Sequence, residues 1–220
     1  MAAGAPIAVR SPRRQVPGWL RPDWSRLAGH RPRPAAGGRP VVLRGGSTVL
    51  IRQVRSTDAP LLADGFARLS PRSRQMRFLT RKKELSAAEL RYLTDVDHHD
   101  HEALVALNHA DGRGVGIARY IRHADDRHAA EIAVTVVDDW QGRGLGTELV
   151  TRLSGRARSE GIHRFTALVA EDNKAVARML RNTSAALVGR SPGTGEYEIT
   201  LTPQGEARSH QPPACAPTVC

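Results

Sequence analysis

The chain has few cysteines and no long apolar segment. Only two of its 220 residues are cysteine, and both, Cys215 and Cys220, lie in a proline-rich C-terminal stretch. This number and placement argue against a disulfide framework or a cysteine metal site. No apolar run approaches the ~18–20 residues that a membrane-spanning helix requires, and arginine and proline interrupt the start of the chain before a signal-peptide core can form. We therefore expect a cytoplasmic protein without a membrane partner.

Acidic residues are almost absent from residues 1–47. This stretch contains nine arginines but a single acid, Asp23, so it carries +8 of the formal net charge of +11. It is also rich in proline, glycine and alanine without helical or strand periodicity, which predicts a disordered extension. The alternative is an arm that binds nucleic acid or another acidic partner, although Trp19 and Trp24 alone do not establish such a site. Residues 203–220 are predicted to form a disordered tail.

Between these ends, residues 48–202 show the alternating patterns of a single domain. Apolar and β-branched stretches predict strands at 48–54, 102–108, 115–121, 130–137, 163–170 and 197–201. Start signals and apolar residues at helical spacing predict helices after Thr57, Ser86, Gly144 and Asn173, with Ser70-Pro71 interrupting the first. The order β-α-α-β-β-β-α-β-α-β predicts an α/β (α+β) fold, with antiparallel and parallel pairing in one sheet and helices on both faces.

The clearest functional pattern lies at residues 131–147, which read EIAVTVVDDWQGRGLGT. A short strand leads into a turn with glycine at 142, 144 and 146, and the turn opens an amphipathic helix. Backbone N–H groups and the helix dipole suit such a turn to a phosphate, because both favour negative charge. Glu131 on the strand is a candidate base. The pattern predicts a phosphorylated cofactor beside a proton-transfer site, or else a turn that is glycine-rich only for tight packing.

Three phosphate-binding motifs can be compared with this turn. A Walker loop needs Gly-Lys-Ser or Gly-Lys-Thr, and no lysine lies near. A dinucleotide fingerprint needs G-x-G-x-x-G, but the sixth position counted from Gly142 is Thr147, and a hairpin precedes the turn. The third pattern, Q-x-x-G-x-G, fits, because Gln141, Gly144 and Gly146 supply its defining residues.

The third pattern resembles a known family. Residues 130–147 are similar to motif A of the GNAT-superfamily N-acetyltransferases, which bind acetyl-CoA, and the resemblance extends over about residues 48–202. Segments 51–59, 68–74, 77–79 and 93–106 are similar to bacterial protein lysine acetyltransferases of the Pat type. The resemblance implies the GNAT fold, in which a mixed, mostly antiparallel sheet is splayed at the cofactor site. It also implies acetyl-CoA as co-substrate and no metal.

The family pattern assigns roles to individual residues. It implies that the strand end binds the pantetheine arm through its backbone and that the loop binds the pyrophosphate. The residues are Val134, Thr135 and Val136 for the arm, and Gln141, Gly142, Arg143, Gly144, Leu145, Gly146 and Thr147 for the loop. Arg143 adds a charged contact or is an exposed surface arginine. The pattern also implies a cofactor contact for Asn173, whose alternative role is the N-cap of the next helix.

Glu131 matches the glutamate that acts as general base in the protein lysine acetyltransferases. Alternatively, Glu131 is a polar residue on the solvent-facing side of the sheet or at an exposed strand end. A lysine ammonium, with a pKa of ~10.4, must lose a proton before it attacks the thioester, and a carboxylate can accept that proton. Leu180 stands where many small-molecule members carry a tyrosine that protonates the leaving thiolate. The expected acceptor is a protein lysine, for example on an acyl-CoA synthetase. A small amine acceptor and a non-catalytic acyl-CoA-binding module are the alternatives.

Two further clusters suggest ligand contacts. The run His98-His99-Asp100-His101-Glu102 has residue types that bind zinc, but the matching stretch of the family is a loop without a required metal. We expect a loop at the acceptor site, in which His101 or Glu102 contacts the amine. A basic cluster predicts contact with an acidic protein surface or the 3′-phosphate of coenzyme A, or a solvated helix end. Its members are Arg72, Arg74, Arg77, Arg81, Lys82 and Lys83.

Overall fold

Eight strands and five α-helices follow one another in the part of the chain that the computed structural model describes, residues 39–180 and 185–201. The strands are β1 (Arg39–Val42), β2 (Thr48–Gln53), β3 (His101–Asn108), β4 (Gly114–Arg122), β5 (Ala129–Val136), β6 (Arg164–Ala170), β7 (Ala185–Ser191) and β8 (Thr194–Thr200). The helices are α1 (Ala59–Ala67), α2 (Pro71–Phe78), α3 (Ala87–Thr94), α4 (Leu145–Ser159) and α5 (Lys174–Leu180). A short 3-10 helix, Ser56–Asp58, precedes α1, and a second one, Asp138–Trp140, precedes the loop before α4.

These strands form one sheet in the order β1-β2-β3-β4-β5-β6-β8-β7. Neighbouring strands pair antiparallel except β5 and β6, which run parallel because α4 connects them as a crossover. Helices α1 and α2 contact β4 and β5 on one face, and α4 contacts β3, β4 and β5 on the other. The predicted fold class, a mixed and mostly antiparallel sheet with helices on both faces, is confirmed.

The two faces of the sheet have different cores. The larger core lies between the sheet and α4, whose contribution is Leu145, Leu149, Leu153 and Ala157. These residues recur every four positions and therefore share one side of the helix. Smaller clusters lie under α1, α2 and α3, and one of them contains the edge-to-face pair of Phe66 and Phe78. None of the described helices is both long and apolar enough to cross a membrane.

Strands β5 and β6 separate after only three paired positions. They pair at Ala129–Arg164, Ala130–Phe165 and Glu131–Thr166, whereas β4 and β5 pair over seven positions as far as Val136. Beyond this point β6 continues beside β8. The sheet is therefore splayed at the C-terminal half of β5, as the family resemblance implied.

Strand β1 lies inside the stretch that the sequence assigned to the N-terminal extension. It begins at residue 39 and pairs with β2 at the edge of the sheet. Strand β1 contains a proline and the exposed Val42, so its sequence lacks the apolar alternation that predicts a strand. Both residues are tolerated because an edge strand is paired on one side only. The sheet therefore starts before residue 48. The rest of the predicted extension, the predicted tail, both cysteines and both N-terminal tryptophans lie outside the described residues.

Two other elements were not predicted. Ser70-Pro71 starts a helix as well as ending the previous helical region, because Ser70 Oγ accepts the N–H of Ser73 at 3.1 Å and Pro71 occupies the first helical position. Strand β7 forms the other edge of the sheet, with exposed Leu187 and Val188. An edge strand with outward-facing apolar residues lacks the alternation that marks a half-buried strand.

Candidate active site

The gap between β5 and β6 is a cavity of about 80 Å³. Glu131 and Val134 lie on one wall, Asn173 and Leu180 lie on the opposite wall, and Arg77 of α2 lies at one side. Three sequence predictions, the candidate base, the pantetheine strand and the asparagine, thus meet at one cavity. They meet there because the strands diverge immediately after Glu131.

The edge of β5 that faces this gap presents backbone groups to it. The N–H of Val137 and the carbonyl of Ala129 both bond to the β4 side, at 3.0 Å. Because backbone groups alternate between the two sides of a strand, those of Val134 and Val136 point into the gap, and those of Thr135 point toward β4. An extended ligand can pair with the gap-facing groups as an added strand.

The glycine loop turns the chain from β5 into α4. Gly142 and Gly144 have φ of +75° and +87°, a left-handed conformation that other residues rarely adopt. Gly144 is the N-cap of α4, and among the described residues no side chain caps the helix. The N–H groups of Leu145, Gly146 and Thr147 therefore lie at an open helix N-terminus, which suits a phosphate.

Gln141 and Arg143 both have partners within the protein. Gln141 donates from Nε2 to the carbonyl of Val136 at 3.0 Å and so joins the loop to the end of β5. The guanidinium of Arg143 donates to Ser47 Oγ at 2.8 Å and stacks over Trp140, 4.9 Å from the ring centre. Both side chains therefore shape the loop, and a direct contact of either with the cofactor stays a prediction.

Asp138 attaches α2 to the start of the glycine loop. Its carboxylate accepts hydrogen bonds from the N–H of Ser70 at 2.9 Å, from Ser70 Oγ at 2.8 Å and from Ser73 Oγ at 2.7 Å. Burial raises the pKa of Asp138, but these hydrogen bonds outweigh burial and hold the pKa below its usual range. Asp138 thereby holds the start of α2 near the gap. There Arg72 forms an ion pair at 3.2 Å with Asp172, which follows β6 in the chain.

Glu131 is half-buried at the point where β5 and β6 part. Its side chain shares a face with Ala133 and Thr135, and this is the face that α1, α2 and α3 cover. Arg77 and Tyr92 are close enough to feel its charge. Burial lowers the pKa of Arg77 to about 10 while Glu131 partly restores it. Burial raises the pKa of Tyr92, the charge of Arg119 opposes this rise, and the charge of Glu131 adds to it. The candidate base therefore lies in a polar cluster assembled from separate helices.

Arg119 also belongs to this cluster around Glu131. It lies on β4, diagonal to Glu131 on the same face, and is only 2% exposed. Its Nη1 contacts His101 Nε2 at 3.0 Å, and its Nη2 donates to the carbonyl of Leu93 at 3.1 Å, near the end of α3. Burial and the charge of Arg119 hold the pKa of His101 well below its usual range, so the imidazole is neutral and accepts this hydrogen bond.

Tyr92 and Arg119 were not predicted from the sequence to be neighbours of Glu131. A usable signal existed for Arg119, because a charged residue inside the apolar strand Gly114–Arg122 is unusual and needs a reason. No such signal existed for Tyr92, whose ring lies 5.3 Å from that of His101. Its place beside Glu131 depends on how α3 packs against the sheet.

The wall opposite Glu131 comes from the start and the end of α5. Asn173 Oδ1 accepts the N–H of Val176 at 3.1 Å, so the predicted N-cap role is present, while the residue also lines the gap. A cofactor contact by Asn173 stays a prediction. Leu180 is buried and lines the same cavity. An apolar side chain therefore occupies the position where many small-molecule members carry the tyrosine acid.

The histidine-rich run is divided between the two faces of the sheet. Alternation on β3 sends His101 toward α3 and Glu102 toward α4. Glu102 is fully buried, and its carboxylate lies 2.7 Å from His98 Nδ1, 2.8 Å from Gln53 Nε2 and 3.0 Å from Arg156 Nε. The expectation that Glu102 contacts the incoming amine is wrong, because these partners enclose it. No group of three or more metal-ligating side chains with suitable geometry occurs in residues 39–180 and 185–201.

The predicted basic cluster does not form one continuous surface. Lys82 forms an ion pair with Glu89 at 2.5 Å, and Arg74 stacks over Phe66 at 4.7 Å from the ring centre. Arg77 lies over Phe78, 5.0 Å from the ring centre, and feels the charge of Glu131. These three side chains are engaged inside the domain, which divides the cluster into separate charges.

This fold, with its splayed sheet and glycine loop, is that of a known family. Residues 48–183, more than half of the chain, match the family described as acetyltransferase (GNAT) domain. The chain belongs to the GNAT acetyltransferase family. The resemblance inferred from the glycine loop is thereby confirmed.

Curated relatives support the same assignment. The chain is 33% identical over 164 residues to acetyltransferase Pat of Mycolicibacterium smegmatis, covering 74% of this chain and 49% of that protein. It is 40% identical over 133 residues to an acetyltransferase of Pseudomonas aeruginosa, covering 60% of this chain and 71% of that protein. The chain thus spans about half the length of the Mycolicibacterium protein.

A solved structure of a GNAT domain has the same fold as this chain. The GNAT domain of S. lividans PAT matches with a TM-score of 0.68 and 28% sequence identity, over 74% of this chain and 96% of that domain. The predicted GNAT fold and the resemblance to the Pat branch are both confirmed by this match.

Proposed function

We propose that this protein transfers an acetyl group from acetyl-CoA to a lysine side chain of an acceptor protein, with Glu131 as general base. The observation that carries the proposal is the place of Glu131, at the point where β5 and β6 separate and beside the cavity between them. The resemblance to the Pat branch supports a protein as the acceptor.

Acetyl-CoA, when bound, supplies the activated thioester, and the residues present fit this co-substrate. The amides at the start of α4 suit its pyrophosphate, since they lie at an open helix N-terminus. The gap-facing backbone groups of Val134 and Val136 suit the amides of the pantetheine arm. The apolar side chains around the gap, Leu180 among them, suit the uncharged thioester end.

Glu131 performs the proton step. A lysine ammonium has a pKa of ~10.4 and carries no free electron pair at neutral pH. The Glu131 carboxylate takes one proton from it, directly or through one water, and the neutral amine forms the new C–N bond as the C–S bond breaks. Backbone N–H groups on the gap side of β5 stabilise the negative charge that develops on the carbonyl oxygen. The attacking nitrogen releases its second proton to water as the amide forms, and the departing thiolate takes a proton from water, because Leu180 offers none.

The test is release of the coenzyme A thiol with a panel of acceptors that includes an acyl-CoA synthetase, other proteins and small amines. The wild type should bind acetyl-CoA and acetylate a protein lysine, located by mass spectrometry. Glu131→Gln should bind acetyl-CoA equally well but lose turnover by about 10²–10⁴-fold, the usual contribution of a general base. Glu196→Gln, which changes an exposed glutamate on β8, should keep both properties.

Each alternative has its own outcome in this assay. Unchanged turnover in Glu131→Gln would remove Glu131 as the base. Transfer to small amines alone would replace the protein acceptor by a small molecule. Binding of acetyl-CoA without transfer to any acceptor would indicate a non-catalytic acyl-CoA-binding module.

A further inference from the structure

The β1–β2 hairpin is attached to the glycine loop. Its turn is closed by hydrogen bonds from the N–H of Leu43 to the carbonyl of Ser47 at 2.8 Å and from the N–H of Gly46 to the carbonyl of Leu43 at 3.0 Å. Leu43 is buried in the larger core and anchors the turn. The N–H of Arg44 donates to the carbonyl of Arg143 at 3.2 Å, and Arg143 Nη1 donates back to Ser47 Oγ at 2.8 Å. The hairpin therefore has a defined position beside the start of α4.

This attachment places the guanidinium of Arg44 against Gly144. A Cβ built on residue 144 would lie 3.4 Å from Nε, 3.7 Å from Nη2 and 3.9 Å from Cζ of Arg44. These similar distances mean that the guanidinium lies over the glycine that caps α4. A methyl group at position 144 would be in ordinary van der Waals contact with this guanidinium.

The charge of Arg44 is unusual for this position. A helix N-terminus carries partial positive charge, so a cation there is unfavourable unless an anion lies between the two. Arg44 is exposed and forms no ion pair with any of the residues that the structure describes. Arg143, by contrast, is engaged by Ser47 and Trp140. Arg44 is therefore the arginine at this loop whose donors remain available to a ligand.

We propose that Arg44 binds the 5′-diphosphate of coenzyme A together with the N–H groups of the glycine loop. This inference rests on the proposed function of the loop. A planar guanidinium can donate two parallel hydrogen bonds to phosphate oxygens, which a single ammonium cannot reproduce. The diphosphate is the matching group because Arg44 lies over residue 144, where the amides of the first turn of α4 also begin.

The test compares three ligands by titration calorimetry: acetyl-CoA, acetyl-dephospho-CoA, which lacks the 3′-phosphate, and S-acetylpantetheine, which lacks all phosphates. Arg44→Gln should weaken binding of both acetyl-CoA and acetyl-dephospho-CoA by about tenfold, the effect of one charge-assisted contact. Binding of S-acetylpantetheine should not change. Arg44→Lys should fall between wild type and Arg44→Gln.

Arg91→Gln is the matched control, because it removes one exposed positive charge from α3, on the other face of the sheet. It should bind all three ligands as the wild type does. Thermal unfolding should show the same stability for wild type and Arg44→Gln, since Arg44 is exposed.

The outcomes separate this inference from the function on which it rests. If the wild type binds acetyl-CoA no better than S-acetylpantetheine, the loop is not a phosphate site and both proposals fail. If the wild type prefers acetyl-CoA but Arg44→Gln binds it equally well, the role of Arg44 alone is overturned. A loss confined to acetyl-CoA would move the contact to the 3′-phosphate, and a loss that includes S-acetylpantetheine would show a merely structural effect. Both of those results overturn the diphosphate contact.

Discussion

The two sides of β5 are built in different ways. On the cofactor side, the gap-facing backbone of β5, the glycine loop and the start of α4 all come from the contiguous residues 131–147. On the acceptor side, Glu131 is joined by Arg77 of α2, Tyr92 of α3 and Arg119 of β4. A contiguous segment leaves a readable motif, whereas a cluster gathered from separate elements does not. The difference explains why the cofactor could be inferred from sequence but the acceptor could not.

The buried charged residues also differ between the two faces of the sheet. The largest predicted effect tests the role of one of them, Glu102. On the face of the sheet that α4 covers, Glu102 is enclosed by His98, Gln53 and Arg156, which indicates a structural role. Glu102→Ala should lower the free energy of unfolding by about 1–3 kcal/mol, because it leaves the enclosed side chains of His98 and Gln53 without their hydrogen-bond partner. Urea denaturation measures this loss. Glu148→Ala, which removes a half-exposed helix pair with Arg152, should cost less than ~1 kcal/mol; equal losses in the two variants would contradict the structural role.

The glycine loop provides the next largest effect. Gly144→Ala should weaken acetyl-CoA binding by about tenfold, because a Cβ would strain a left-handed residue and stand between the loop and the phosphates. The rate at saturating acetyl-CoA should change little, since the acceptor side is untouched. Gly161→Ala is the control, for Gly161 also has a positive φ, of +76°, but lies beyond the other end of α4. If both variants weaken binding equally, the effect is backbone strain and not a blocked site.

A smaller effect should come from the acceptor side. Tyr92→Phe removes a hydroxyl from the cluster around Glu131 and should lower the transfer rate by about three- to tenfold, the value of one hydrogen bond. The affinity for acetyl-CoA should not change, because Tyr92 lies away from the glycine loop. Steady-state kinetics with each substrate varied in turn separates the two effects. Tyr197→Phe on β8 should alter neither quantity, and a change in acetyl-CoA affinity for Tyr92→Phe would break the distinction between the two sides.

The smallest effect concerns stability in acid. The pKa values of Asp138, Glu102 and Asp58 all lie below their usual ranges, since hydrogen bonds outweigh burial at each. A carboxyl group with a lowered pKa contributes stability that is fully present above its unfolded pKa of ~4 and is lost as pH falls through the folded pKa. Through these carboxyl groups the unfolding free energy should fall below pH ~4, in addition to an earlier loss below pH ~6.5 from His101, whose pKa is lowered in the folded state. Asp138→Asn should make that fall shallower, and identical slopes for variant and wild type would show that Asp138 does not take part.

Much of the fold was predictable, for reasons that individual elements make plain. Strand β5 and helix α4 have strong periodic patterns, and their bounds were expected to within a few residues. Strands β1 and β7 lie at the two edges of the sheet, where pairing on one side imposes little alternation. Ser70-Pro71 predicts a break between helices, and the same pair also supplies the N-cap and first residue of α2.

Sequence by itself determined the parts of this protein that depend on neighbouring residues. The left-handed glycines, the strand before them and the helix after them are local, and together they defined the family. Tertiary structure decided on which face each polar residue lies. Alternation on β3 sends Glu102 to α4 and away from the acceptor, and packing of α3 brings Tyr92 to Glu131. It also placed Arg44 on the glycine loop across a separation of one hundred residues, because the buried Leu43 holds the hairpin against the core.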